Sequence, residues 1–248
     1  MDKKICIGIE NLTKYYRGSS RPAIDNISLS ICESEIFGII GPNGAGKTTL
    51  ISILCGLYSP SKGKVFINDM ELHKNLKELK RDIGVVPQDI ALYPTLTAKE
   101  NLIFFGKIYG LRGQHLIKRI NECMDLLYMG DYLNKKLFTF SGGMKRKINL
   151  IAGILHNPCV LFLDEPTVGI DVHSKKVIID FLLEINKLGT TIIYTSHLMN
   201  EAEKLCTYLA IINKGKIIEK GSPASLISNN NKFGDLESIF LQLTEKSQ

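Results

Sequence analysis

The sequence predicts an α/β fold, a mainly parallel sheet joined to an antiparallel β subdomain and interrupted by a helical insertion. Three observations lead there. Apolar residues alternate at Ile5, Ile7 and Ile9 and again at Ile27, Leu29 and Ile31, the period of half-buried antiparallel strands. A run from Glu35 to Ile40, apolar after its first residue, leads through a glycine-rich loop into Leu50, Ile51, Ile53, Leu54 and Leu57, which read as the buried face of a helix. Beyond residue 155, apolar strand-like runs alternate with helix-like segments, the order of a parallel sheet covered on both faces.

The remaining elements follow in chain order. From Leu92 to Leu155 the apolar spacing is helical, through Leu102, Phe105, Ile108 and Leu111 and then Leu116, Ile120, Cys123 and Leu127. Strand character returns at Cys159 to Leu163, Thr190 to Tyr194 and Leu209 to Ile212, with a helix over Lys175 to Leu188 between the first two. Asn213-Lys214-Gly215-Lys216 is a hairpin-turn signal. Pro223 to Ile227 and Leu236 to Leu243 read as short terminal helices, and Asn229-Asn230-Asn231 as a loop. The expected division is a discontinuous core over 1–90 and 156–228, a helical subdomain over 91–155 and a short tail over 229–248.

Composition narrows the class. With 248 residues, 44% hydrophobic and 23% charged, the chain resembles an ordinary globular protein and needs no disulfide or metal staple to bury a core. Its six cysteines form no CxxC pair and have no histidine at ligand spacing, which speaks against a zinc site or a disulfide framework. The opening MDKKICIGIENL lacks the apolar stretch of a signal peptide. The longest apolar runs fall far short of the roughly 20 residues a membrane helix needs, so a membrane role is expected to come through another chain. Residues 91–155 hold ten basic side chains against four acidic, which accounts for the whole formal charge of +6. That excess reads equally as a solvated helical surface or as a face turned to an anionic neighbour.

The chemistry is carried first by Gly41-Pro42-Asn43-Gly44-Ala45-Gly46-Lys47-Thr48, which fits GxxxxGK[ST] after a strand and before a helix, with Thr49 next. Such a loop turns backbone N–H groups toward phosphate oxygens at a helix N-terminus, the mark of a phosphate-loop nucleotide hydrolase core. Lys47 should reach the β- and γ-phosphates and the Thr48 hydroxyl should ligate Mg2+. Asp164 and Glu165 follow the apolar strand Val160 to Leu163. Asp164 suits the metal shell and Glu165 suits polarising the attacking water. The guanine-reading NKxD is absent, since Lys216 stands where aspartate is needed.

At Phe140-Ser141-Gly142-Gly143-Met144 the sequence resembles the signature of ATP-binding cassette (ABC) transporter ATP-binding subunits, and further landmarks fall in order around it. The resemblance implies that Tyr16 stacks on adenine, with Tyr15 a rival and core packing an alternative. It implies that Gln88 contacts Mg2+ and the lytic water, and that His197 contacts the γ-phosphate, although a helix cap after Ser196 reads the same. Ser141, Gly142 and Gly143 would bind the γ-phosphate of ATP held by an opposite subunit, and Asp171 would belong to the D-loop. Ser141 is independently a good helix N-cap, and an anion there would relieve the cations Lys145, Arg146 and Lys147 close behind it, at least one of which reads instead as a merely solvated basic face.

Phe140 replaces the commoner leucine, Met144 the commoner glutamine, and Ile170 precedes Asp171. The stretch Leu92 to Leu102, Asp164-Glu165-Pro166-Thr167 and Leu236 to Phe240 resemble the drug, lipid and polysaccharide exporter branch. The resemblance therefore implies a transport ATPase using ATP and Mg2+ at the cytoplasmic face of a membrane. Its partners would be a separate transmembrane permease and a second ATP-binding subunit, with no nucleic acid. The rivals are a soluble cassette ATPase acting on ribosomes, DNA or metal-cluster assembly, an importer ATPase with a regulatory tail, and a nucleotide-gated scaffold that does not hydrolyse.

Overall fold

The computed structural model describes residues 4–229 and 235–245 of the chain. Period-2 alternation at the start forms β1 (Ile5–Lys14) and β2 (Ile24–Cys32), which pair antiparallel with Ile9 opposite Leu29. Two strands without a clear sequence signal, β4 (Lys62–Ile67) and β5 (Met70–Glu71), complete a four-stranded sheet in the order β2-β1-β4-β5. The first three residues of β4 are exposed, so its alternation shrinks to Val65 and Ile67.

The second sheet has β3 (Ile36–Ile40) at its centre, with β8 (Thr191–Ser196) and β9 (Tyr208–Asn213) as parallel neighbours. Next to β8 come β7 (Val160–Asp164) and then the edge strand β6 (Ile83–Val86), both parallel to it. On the far side β10 (Lys216–Gly221) runs antiparallel to β9. The turn between them has Lys214 at φ 47° and Gly215 at φ 79°, the left-handed pair of a two-residue hairpin that the sequence anticipates.

Alternate residues of these strands feed two cores. Ile36, Ile40, Leu161, Leu163, Ile192 and Ile211 face one, together with α3 (Ala98–Ile108), α4 (Gly113–Leu126), α5 (Gly142–Ile154), α6 (Val172–Lys187) and α7 (Met199–Leu205). Phe37, Ile39, Phe162, Ile193 and Ile212 face the other, with α1 (Lys47–Leu54) and the antiparallel sheet. Each fully buried aliphatic side chain adds about 2 kcal/mol of hydrophobic stabilisation, so both faces are strongly held. Helices α2 (Leu76–Leu79), α8 (Pro223–Asn229) and α9 (Leu236–Glu245) complete the chain.

The helical stretch begins with a capping box, in which the Glu100 amide donates to Thr97 Oγ1 at 3.1 Å and the Thr97 amide donates to Glu100 Oε2 at 2.8 Å. In α4, Leu116, Ile120 and Cys123 are buried at helical spacing, as expected. Three residues expected on buried faces are not buried, among them Ile5 at the first position of β1, which is 46% exposed. Leu57 is 69% exposed because α1 stops at Leu54 and Gly56, at φ 75°, turns the chain away. Ile108 is 62% exposed because it closes α3 beyond the contact with α4 and α5. Asn229 ends α8 instead of opening a loop, and Asn230 and Asn231 lie outside the described residues. Among the described residues no helix is long and apolar enough to cross a membrane.

Candidate active site

The core motifs meet at the carboxyl ends of β3, β7 and β8, the edge where a parallel sheet leaves strand ends and helix N-termini open to a ligand. The loop from Gly41 to Gly46 links β3 to α1, with Asn43 and Gly44 exposed and Ala45 buried. Gly46 has φ 108°, and a Cβ there would lie 2.6 Å from the Ala23 carbonyl, so only glycine fits. Lys47 opens α1 and is buried. Its Nζ donates to the Gly41 and Pro42 carbonyls at 2.9 and 3.2 Å and lies 3.2 Å from Glu165 Oε1. Thr48 and Thr49 occupy the first turn of α1, with Thr48 exposed.

Asp164 ends β7, and Glu165 follows it at φ 46°, a left-handed conformation that is costly for a residue with a Cβ. Thr195 holds the Asp164 carboxylate and the Glu165 backbone in place. Its hydroxyl donates to Asp164 Oδ1 at 2.7 Å and accepts from the Glu165 amide at 3.0 Å. Sequence reasoning missed Thr195, because its importance follows from lying opposite Asp164 in the β7–β8 register. The second Glu165 oxygen, Oε2, sits 3.2 Å from His197 Nδ1 just past the end of β8. Lys47, Glu165 and His197 are thus brought to one point.

Tyr16 stands at the mouth of the loop. Its hydroxyl is 3.1 Å from Thr49 Oγ1, Tyr58 packs edge-on to its ring at 6.2 Å, and Lys14 Nζ lies 5.8 Å from its centroid. Tyr15 instead uses its amide to bond Ser61 Oγ at 3.0 Å, so the side chain tied to the phosphate loop is that of Tyr16.

The other landmarks lie elsewhere. Ser141 caps α5 by accepting from the Met144 amide at 3.2 Å, and Ser141 and Gly142 are exposed. Gly143 packs against the start of α6, where an added Cβ would come 2.4 Å from Ser174 Oγ and 3.2 Å from Asp171 Oδ2. Asp171 caps α6 through the Ser174 amide at 2.8 Å, and hydrogen bonds from the Ser174 backbone and side chain hold its carboxyl below the usual range. Signature and D-loop therefore adjoin each other within the chain. Among the described residues no hydrogen bond or ion pair joins either to Lys47 or Glu165.

Gln88 is exposed beyond β6, and its carbonyl accepts from Arg146 Nη1 at 2.6 Å. Two of the three cations of α5 find partners within the chain. Arg146 and Lys147 are buried and donate to carbonyls, Arg146 to Gln88 and Lys147 to Leu127 at 3.2 Å. They sit in the second turn, past the strongest part of the helix dipole. Burial pulls both their pKa values down. Among the described residues no cluster of three or more His, Cys, Asp or Glu side chains forms a ready metal site.

A family model described as ABC transporter matches residues 24–168, more than half of the chain. The chain belongs to the ABC transporter family. This ABC transporter chain is 44% identical over 219 residues to the linearmycin resistance ATP-binding protein LnrL of Bacillus subtilis, covering 88% of this chain and 70% of that one. It is 35% identical over 223 residues to the Nod factor export ATP-binding protein I of Sinorhizobium fredii, covering 90% and 64%. The fold matches the ATP-binding cassette MJ0796, solved as a dimer in a post-hydrolysis state with ADP and Pi, at a TM-score of 0.80 and 28% identity over 87% of this chain and 98% of that one. As the nucleotide-binding subunit of an ABC transporter, the chain binds ATP and hydrolyses it.

Proposed function

We propose that this ATPase powers export through a separate membrane-spanning permease, working at the cytoplasmic face of the membrane as one of two ATP-binding subunits. The observation that carries the reading is the convergence of Lys47, Glu165 and His197 at the sheet edge, beside the phosphate loop. Relatives named for linearmycin resistance and Nod factor export support the direction.

In this reading the N–H groups and glycines of Gly41 to Gly46, with Pro42, Asn43 and Ala45, cradle the phosphates. Lys47 leaves its resting contacts with the Gly41 carbonyl and Glu165 to pair with them. Thr48, Asp164 and Gln88 would hold Mg2+, which supplies charge neutralisation on the phosphate oxygens. Once Lys47 leaves it, Glu165 accepts a proton from the attacking water, and His197 contacts the terminal phosphate. Tyr16 stacks on the adenine, and Thr49 steadies its hydroxyl.

Ser141, Gly142, Gly143 and Asp171 serve ATP bound by the opposite subunit, which accounts for the exposure of Ser141, Gly142 and Asp171. The division into a core over 1–90 and 156–228, a helical subdomain over 91–155 and a tail over 229–248 belongs to the same proposal. With the site split between subunits, an isolated monomer hydrolyses ATP poorly.

The test is whether the chain, tagged at native levels, pellets with membranes and co-purifies with a polytopic protein that raises its ATPase rate in a Glu165-dependent way. Recovery with ribosomes or DNA instead would leave the ATPase standing and overturn the transport reading.

A further inference from the structure

Close in sequence to Glu165 and His197 lies a buried polar cluster that has no part in the site described above. Glu201, in α7, is only 8% exposed. Its Oε2 accepts from the Tyr194 hydroxyl at 2.7 Å and from the Thr167 hydroxyl at 2.5 Å, and Lys175 pairs with its Oε1. Tyr194 and Thr167 are themselves buried, their hydroxyl oxygens 3.0 Å apart, with each proton directed to the carboxylate. Burial pushes the Glu201 carboxyl upward, but the bonds from Lys175, Thr167 and Tyr194 outweigh it and hold the group below the usual range, ionised at neutral pH.

The cluster is badly chosen if its purpose is stability alone. A buried ion pair surrounded by hydroxyls is commonly matched or bettered by well-packed apolar side chains. What it provides is geometry, and its members stand beside the reacting residues in the chain. Thr167 is two residues beyond Glu165, Tyr194 three before His197, Glu201 four after His197, and Lys175 four after Asp171. The helix that carries Glu201 spans 7 residues and has no side-chain N-cap, so it has little stability of its own and takes its position from tertiary contacts. His197 reaches Glu165 by a single contact at 3.2 Å with its side chain 36% exposed, so its aim depends on where that helix begins.

We propose that Glu201 is a positioning residue for ATP hydrolysis: its carboxylate anchors the His197 loop against Glu165 and ties both, through Thr167 and Lys175, to the start of α6. The proposal rests on the roles given above to His197 and Glu165. Without the anchor the imidazole drifts from the carboxylate, and a displacement of about 1 Å in such a constellation is enough to cost one to two orders of magnitude in turnover.

The test uses the full chain with its single variants Glu201→Gln and His197→Ala and the double variant. Steady-state ATPase kinetics, thermal melting and ring resonances of the five histidines by NMR are read for each. Glu201→Gln keeps shape but removes the charge. It is expected to lower kcat about tenfold or more while KM holds nearly constant, and the drop should persist when the rate is read well below the variant's own, somewhat lower, melting temperature. It should also move the His197 ring signals and leave those of His73 and His115 in place. In the His197→Ala background it should have little further effect, because both changes remove one interaction.

Unmoved His197 signals with unchanged kcat in Glu201→Gln, or losses that simply multiply in the double variant, would overturn the proposal. A loss of kcat that tracks melting temperature would also overturn it, since the role would then be structural. If His197→Ala alone leaves turnover intact, the assigned role of His197 fails, and the ring signals still decide whether Glu201 positions it. Should Glu201→Gln not fold, Tyr194→Phe removes one of the two hydrogen bonds with little change in packing and is read in the same way.

Discussion

Glu165 shows how much of this site depends on single residues held in costly states. Its left-handed backbone at φ 46° carries a penalty on the order of 1–3 kcal/mol, and the Thr195 hydroxyl that receives its amide helps to maintain it. The pair of tyrosines is decided at the same scale. Tyr16→Ala should weaken ATP binding by about 1–3 kcal/mol, the usual worth of one stacked base, whereas Tyr15→Ala should leave it within twofold; titration with a fluorescent ATP analogue separates the two.

A pH effect belongs here as well. Because the folded-state pKa of Glu201 is depressed, its stabilisation is complete above the unfolded glutamate value of about 4.3 and is lost as pH falls through the lower folded value. Melting temperature followed from pH 6 to pH 3 should therefore fall more steeply for the native chain than for Glu201→Gln. Equal slopes would show that the carboxylate is not held ionised.

At the scale of elements, the contact between the start of α5 and the start of α6 matters most. Gly143 packs so closely on Ser174 that a methyl group would overlap its hydroxyl at 2.4 Å. Gly143→Ala should leave nucleotide affinity within twofold and cut hydrolysis by about tenfold or more, because the signature edge is displaced and the phosphate loop is not. Parallel titration and rate measurements check both halves. The basic run Lys145 to Lys147 carries a lesson about elements. Charge and helix position alone left both an anion and a solvated face open, whereas Arg146 donates through Nη1 to the Gln88 carbonyl and Lys147 to that of Leu127. Only the packing of α5 against the Gln88 loop and the end of α4 brings those carbonyls within reach.

For the whole molecule, a signature edge that among the described residues shares no hydrogen bond or ion pair with Lys47 or Glu165 predicts a second subunit. Glu165→Gln with ATP should elute as a dimer in size-exclusion chromatography, and adding Gly143→Ala should return it to monomer. A monomer in the first case would refute the two-subunit site.

The sequence alone determined the strand–loop–helix of residues 36–54, the carboxylates at the end of β7, the hairpin at Lys214 and Gly215, and the family signature. Each is written in local spacing and in residue types that have few other uses. It left β4, β5 and β6 unseen, since β4 and β5 have little or no alternation and the four-residue β6 is identified by its place at the sheet edge. Tertiary structure alone decided that Leu57 and Ile108 face solvent, that Thr195 supports the Asp164 carboxylate and the Glu165 backbone, and that Glu201 meets Thr167, Tyr194 and Lys175. Those contacts join residues far apart in the chain, and nothing in local spacing encodes a distance across a sheet.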